Sequence, residues 1–194
     1  MVNGMRSKAE ASLTAGLGRR GGLLKALGLL AGANLLLVAS AWVKVPMWPV
    51  PMTMQTLAVL LIGAACGATL APAAVAATLA EAALGLPVLA GAAPLAAFGP
   101  TAGYLAGFLL AAAAVGLAAD RGAMRRTLPM LATLLAGEAL IFLPGLAWLD
   151  IGFLHDARAT LATGLFAFLP GEATKLALAA VIITAWRGAR APGR

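Results

Sequence analysis

The sequence has few charged side chains and almost none of the residues on which soluble enzymes depend. Only 11% of its 194 residues are charged, against about 25% in an ordinary soluble domain. There is one histidine, and the single Cys66 excludes an intrachain disulfide and a cysteine-based metal cluster. The motifs G-x-x-x-x-G-K-[ST], H-E-x-x-H and G-x-S-x-G are all absent. We therefore expect a protein that is not an enzyme.

Apolar residues, by contrast, are abundant. They make up 62% of the chain, and the mean hydropathy is +0.95. A soluble fold of this size could not bury so much apolar surface, and a helix that crosses a lipid bilayer needs about 20 mainly apolar residues. We predict an all-α polytopic membrane bundle of six transmembrane helices. The predicted spans are residues 23–43, 53–68, 70–84, 100–118, 128–149 and 170–186.

The net charge of +7 does not indicate nucleic-acid binding, because the basic residues cluster between apolar segments without interleaved aromatics. Cytoplasmic loops of membrane proteins carry the excess of Lys and Arg. With both termini in the cytoplasm, the outer loops hold only Lys44 and Arg158. The cytoplasmic side then holds Arg6, Lys8, Arg19, Arg20, Lys25, Arg121, Arg125, Arg126, Arg187, Arg190 and Arg194. We predict a basic cytoplasmic extension (1–21), one transmembrane domain (22–187) and a basic cytoplasmic tail (188–194).

Small residues recur along the first predicted span at a spacing that lets another helix approach closely. Ala26, Gly28 and Gly32 belong to this pattern. These small residues either contact another subunit, which includes self-association, or pack against a helix of the same bundle. The pair Arg19-Arg20 before an apolar run also imitates a secretory signal, but its removal would leave five spans with inconsistent charge placement.

A proline-rich segment joins the first two predicted spans. Its three prolines fix φ and withhold backbone donors, so we expect a stiff, non-helical cap on the outer side. Trp48 is either an interfacial anchor or the wall of a ligand pocket. Thr53 and Gln55 open the next span, where Gln55 either binds a polar ligand or makes an interhelical hydrogen bond. Tyr104, the only tyrosine, is either an interfacial residue or points its hydroxyl into a site.

The sharpest local signal is FLPGEATK, residues 168–175. If Pro170 begins the last span, Glu172 and Lys175 stand on one helix face. A lysine costs about 2.5–3.5 kcal/mol at the centre of a membrane, so an anion should face it. Either Glu172 pairs with Lys175, which then extends outward, or the site holds a small carboxylated ligand. We favour the ligand, because ionisable groups within membranes are usually functional.

Two further acids have no partner nearby in the sequence. Glu81 and Glu138 lie inside apolar runs, where a glutamate is either protonated and hydrogen-bonded or in contact with a ligand. We favour the first alternative for both. His155 is expected in an exposed outer loop, and Pro100 is expected to be the first residue of its helix.

Four motifs occur in an order that resembles the BioY family, the biotin-capturing S component of energy-coupling-factor vitamin transporters. They are VPMWPVPMTMQT (45–56), LGLPVLAG (84–91), GPTAGY (99–104) and FLPGEATK (168–175). The resemblance extends over nearly all of residues 23–186. It implies a six-helix subunit in the bacterial cytoplasmic membrane that has no cofactor. Such a subunit works with a transmembrane T component and two ATPases.

The resemblance also implies roles for individual residues. The ligand would be biotin, with another small carboxylated vitamin as the alternative, bound near the outer face. Lys175 would meet its carboxylate, and Glu172, where the family usually has Asp, would accept the ureido N–H bonds. Gln55 and Tyr104 would line the pocket. Thr53 and Trp48 complete the expected site.

The small residues of helix 1, Gly28 and Gly32 with Ala26, would by the same resemblance face the T component. Two departures affect the geometry of the site. Glu172 replaces Asp, and Ala102 stands where the family usually has Gly. Neither substitution changes the charge, so the expected ligand is the same.

Overall fold

The computed structural model describes residues 2–90 and 99–189, with side chains from Gly22 onward. The described chain is mostly helical, as its composition predicts. Five helices in it are long and apolar enough to cross a membrane. The helices are α1 (Val2–Trp42), α2 (Gln55–Ala83), α3 (Ala102–Asp120), α4 (Thr127–Leu149), α5 (Ala157–Leu161) and α6 (Leu169–Ala189).

Some predictions fall outside the described residues. These are Arg190, Arg194, most of the tail 188–194 and residue 91, the last of the motif LGLPVLAG. The side chains of the basic residues before Gly22 are also outside the part of the chain that the structure describes. Helix α1 begins well before the predicted domain boundary at residues 21 and 22, so the division into domains remains a prediction.

The count of five differs from the predicted six because α2 contains two of the predicted spans. Its helical path is interrupted at Gly67, where φ is 74° and ψ is −176°, a conformation nearly exclusive to glycine. A Cβ at this position would collide with the Asp120 carboxylate. That carboxylate accepts a 2.9 Å hydrogen bond from the backbone N–H of Ala68 and so caps the second half of α2. Six membrane crossings remain a prediction.

The proline-rich segment forms a short antiparallel ribbon between α1 and α2. Strand β1 (Lys44–Val45) pairs with β2 (Met52–Thr53), and the backbone N–H of Met54 donates to the carbonyl of Val43 at 3.1 Å. The prolines between the strands turn the chain back on itself, which confirms that this segment is not helical throughout. The ribbon is a small departure from the all-α class.

Apart from the start of α1 at Val2 and the two predicted spans that are merged in α2, helix boundaries agree with the predictions to within a few residues. Helix α4 begins one residue before the predicted span, at Thr127, and α6 begins one residue before Pro170. The expectation for Pro100 was wrong, because Thr101 is the N-cap of α3 and the helix begins after it. His155 is exposed, as predicted, but most of the segment between α4 and α6 is helical.

Glycines allow α3 to approach both α2 and α4 closely. A Cβ at Gly107 would lie 2.7 Å from the Cα of Ile141, and one at Gly116 would lie 2.6 Å from the Gly67 carbonyl carbon.

Helix α1 is more peripheral, since much of its surface is exposed. Its Asn34 side chain donates to Thr78 at 3.0 Å and to Glu81 at 3.1 Å. Glu81 therefore has a hydrogen-bond partner, as predicted.

Candidate ligand-binding site

A cavity of about 290 Å³ lies among α2, α3, α4 and the start of α6, next to the ribbon. This volume is near the lower end of the usual range for small-molecule sites, about 300 Å³. Most of its wall is apolar or aromatic. The apolar and aromatic lining residues are Val50, Pro51, Leu89, Ala90, Pro100, Tyr104, Leu105, Phe108, Ile141, Phe142 and Phe168.

Three aromatic rings, from α3, α4 and the turn before α6, meet in this wall. The rings of Tyr104 and Phe168 stack with centroids 6.5 Å apart, and Phe142 packs edge-on against Tyr104 at 5.6 Å. The hydroxyl of Tyr104 donates to the Gly164 carbonyl at 2.9 Å. Tyr104 therefore lines the cavity, but its hydroxyl is already bound to the backbone. A Cβ at Gly145 would collide with this ring, so the glycine makes room for it.

The start of α2 supplies polar groups to the cavity. Thr53, Gln55 and Thr56 all line it, and the last two are buried. The Thr53 hydroxyl accepts a 3.2 Å hydrogen bond from the backbone N–H of Gln55. It also lies 3.4 Å from the side-chain Oε1 of Gln55. The ribbon thus ends by capping α2 and holding the amide of Gln55 at the cavity.

Glu172 and Lys175 form a buried ion pair on α6. Their side-chain atoms Oε1 and Nζ are 2.7 Å apart, and each residue is only 5% exposed. Nζ also donates to the Thr53 carbonyl at 2.6 Å and to the Thr56 hydroxyl at 3.1 Å. The Thr56 hydroxyl in turn donates to Glu172 Oε2 at 2.8 Å. All three N–H donors of the ammonium group have acceptors, and Lys175 does not extend outward.

The two members of the pair are placed differently with respect to the cavity. Glu172 is among the lining residues, whereas Lys175 is not. Lys175 lies behind Glu172 and Thr56 and is bound to both. In this arrangement the carboxylate of Glu172 faces the cavity, and the ammonium group of Lys175 binds it from behind.

The remaining predicted site residues lie elsewhere. Trp48 is 77% exposed and is not among the lining residues. Gly28 and Gly32 are exposed on α1, and a Cβ at either would meet no described atom within 4 Å, while Ala26 is half-buried. Sequence reasoning gave no role to Thr56, although a hydroxyl next to Gln55 was a visible signal.

Sequence reasoning also underestimated Glu138 on α4. It is buried, and neither of its carboxylate oxygens has a hydrogen-bond donor within reach among the described residues. The hydrogen-bonded state that we favoured from sequence therefore lacks a visible partner. Within the described ranges, no group of three or more His, Cys, Asp or Glu residues is placed to hold a metal ion.

Comparison with known proteins gives one consistent result. A model of the BioY family matches residues 7–191. The biotin transporter BioY of Thermotoga maritima is 36% identical over 151 residues, covering 76% of this chain and 86% of the relative. That of Rhodobacter capsulatus is 37% identical over 147 residues, covering 69% and 76%.

A solved structure is similar over almost the whole fold. It is the crystal structure of the S component for biotin from an ECF-type ABC transporter. The TM-score is 0.78 at 26% sequence identity. The match covers 89% of this chain and 94% of the solved chain.

Replacing Lys175 by Met should destabilise the protein, because Glu172 would remain as a buried charge without its counterion. Removing one partner of a buried pair typically costs about 3–5 kcal/mol. Thermal unfolding of the purified protein in detergent measures this loss. The matched control is Lys25→Met, at an exposed lysine on α1, which should unfold like the wild type. Equal unfolding temperatures for the two variants would contradict the buried pair.

Proposed function

The chain belongs to the BioY family, and from this membership and the geometry of the cavity we propose that it captures biotin as the S component of an energy-coupling-factor transporter. The observation that carries the proposal is the buried pair of Glu172 and Lys175 at one end of an otherwise apolar and aromatic cavity. Biotin has a ureido group and a carboxylate that could bind the polar pair, and an apolar ring and chain that could contact the apolar wall.

The ureido group of biotin offers two N–H donors and one carbonyl acceptor. Glu172 faces the cavity as an acceptor, and we assign the N–H donors to it. The side chain of Gln55 is the neighbouring amide at the cavity wall and suits the ureido carbonyl. The aromatic rings of Tyr104, Phe142 and Phe168 would pack on the apolar parts of the ligand. This assignment uses groups from α2, α3, α4 and α6.

We assign the carboxylate of biotin to Lys175. Because the three N–H donors of Lys175 already have acceptors, the ligand must replace one of them. Thr53 is the acceptor nearest the ribbon, and its neutral carbonyl is a weaker partner for an ammonium group than a carboxylate is. The ligand carboxylate would take the place of this carbonyl and leave the bond to Glu172 intact. Because Oε1 of Glu172 and Nζ of Lys175 are only 2.7 Å apart, biotin would have to bind with its carboxylate chain folded back toward the ureido ring.

Two observations support six membrane crossings with both termini in the cytoplasm. The ribbon ties the end of α1 to the start of α2. Asn34 lies eight residues before the end of α1, or about 12 Å along the helix, and contacts Thr78. In a straight α2, Thr78 would lie about 35 Å from Gln55, too far to make this contact. A reversal at Gly67 removes the conflict, and the charge distribution then fixes the orientation.

The energy for uptake would come from partner subunits, since the sequence has no phosphate-binding loop of the Walker type. We propose a transmembrane T component and two ATPases as these partners, in a bacterial cytoplasmic membrane. Gly28 and Gly32 lie on an exposed face of α1 where close approach of another helix meets no obstacle. We propose this face as the contact with the T component.

The purified protein should bind biotin in the nanomolar range, and Lys175→Ala should weaken binding by about tenfold or more, because a hydrogen bond to a charged group is lost. Isothermal titration of both proteins measures this change. Biotin amide, which lacks the carboxylate, should bind the wild type more weakly and should lose little further affinity in the variant. If Lys175→Ala prefers biotin over biotin amide as strongly as the wild type does, the assignment of the biotin carboxylate to Lys175 is wrong. Stronger binding of another carboxylated vitamin would favour the alternative ligand.

Single cysteines should report the orientation of the loops. In a Cys66→Ala background, His155→Cys should react with a membrane-impermeant maleimide on intact cells, because His155 is exposed in the predicted outer segment. Arg125→Cys, between α3 and α4, should react only after the cells are permeabilised. Labelling of Arg125→Cys on intact cells would contradict the proposed topology.

A bulky residue on the small-residue face of α1 should disrupt assembly. Gly32→Leu should reduce the amount of T component that co-purifies with the protein, because the side chain would keep the partner helix away. The control is Gly188→Leu on α6, where a Cβ also meets no described atom within 4 Å. If both variants retain the T component equally, this face is not the contact.

A further inference from the structure

Glu138 is a buried acid whose role the biotin assignment leaves open. It is 7% exposed and lies on α4, one helical turn before Ile141 and Phe142, which line the cavity. Neither carboxylate oxygen has a donor within hydrogen-bond distance among the described residues. A buried carboxylate without a donor is costly, so an additional interaction is expected.

The groups around Glu138 indicate which residue could form a hydrogen bond with its carboxyl group. The charged groups that act on its carboxyl are Glu172 and Lys175, both on α6. Helices α2 and α3 present Leu60 and Val115 to Gly137, the residue next to it, and both of these side chains are apolar.

The donors of Lys175 and Thr56 are already in use. The three N–H groups of Lys175 bind Thr53, Thr56 and Glu172, and the hydroxyl of Thr56 donates to Glu172. Of the two charged groups that act on Glu138, the carboxylate of Glu172 is therefore the one left to bind it. Two carboxylates are both acceptors and can bond only if one of them carries a proton.

We propose that Glu138 holds a proton and donates it to Glu172, and so acts as a positioning residue for the carboxylate that faces the cavity. The proton makes the group of Glu138, Glu172 and Lys175 neutral as a whole, where two ionised acids would leave it negative. A ligand that carries a carboxylate then meets no net negative charge at the end of the cavity. Held from behind by Thr56, Lys175 and Glu138, Glu172 would keep lone pairs for N–H donors of a ureido or amide group.

The protonation of Glu138 can be tested without any ligand. A protonated carboxylic acid has a C=O stretching band in the infrared that an ionised carboxylate lacks. The protein should be measured in a maltoside detergent, which has no carbonyl group of its own. The wild type should show this band, and Glu138→Gln should lose it. The matched control is Glu81→Gln, which removes an acid on α2 that accepts a hydrogen bond from Asn34 and should leave the Glu138 band in place. A band of unchanged intensity in Glu138→Gln would overturn the proposal.

The positioning role rests on the proposed function and needs a binding measurement. The amide of Glu138→Gln can still donate to Glu172, so this variant should bind biotin within about threefold of the wild type. Glu138→Ala removes the donor and should bind about tenfold more weakly. Equal affinity of the alanine variant and the wild type would overturn the positioning role, as would a tenfold loss in the folded glutamine variant. If the wild type does not bind biotin at all, the proposed function fails, while the infrared band still decides the protonation.

Discussion

A lysine buried in a membrane-spanning bundle needs an acceptor for each of its three N–H groups, and this requirement organises the site. Lys175 satisfies it with a carboxylate from its own helix, one oxygen from the ribbon and one from the start of α2. One acceptor, the carbonyl of Thr53, is in the second strand of the ribbon. The position of the ammonium group therefore depends on where the ribbon ends, which links the ribbon directly to the cavity.

The rest of the fold keeps these elements in place. Glycines let the backbones of α2, α3 and α4 approach closely, and the break at Gly67 is held by the Asp120 carboxylate. The same device operates at the cavity, where Gly145 makes room for the ring of Tyr104. The close backbone contacts between these helices and the aromatic rings that line the cavity both depend on glycines.

Local features of the site could be predicted from the sequence, because they follow from helical geometry. The spacing of Glu172 and Lys175 placed them on one face, and the prolines excluded a helix between α1 and α2. Contacts between distant segments could not be predicted in this way. Nothing near Tyr104 in the sequence indicates that its hydroxyl binds the carbonyl of Gly164, 60 residues away. The exposure of Trp48 likewise depends on how the ribbon folds.

The glutamate at position 172 illustrates how such contacts shape recognition. Its side chain has one methylene more than the aspartate expected from the family, and its carboxylate bonds to both Thr56 and Lys175. A longer side chain has more rotamers and therefore needs more contacts to be held in one orientation. Contacts from α2 and α6 are already present, and the remaining charged neighbour is Glu138 on α4. In the proposed site, specificity at this position would therefore depend on three helices acting on one carboxylate, and the motif that contains Glu172 would be only one part of it.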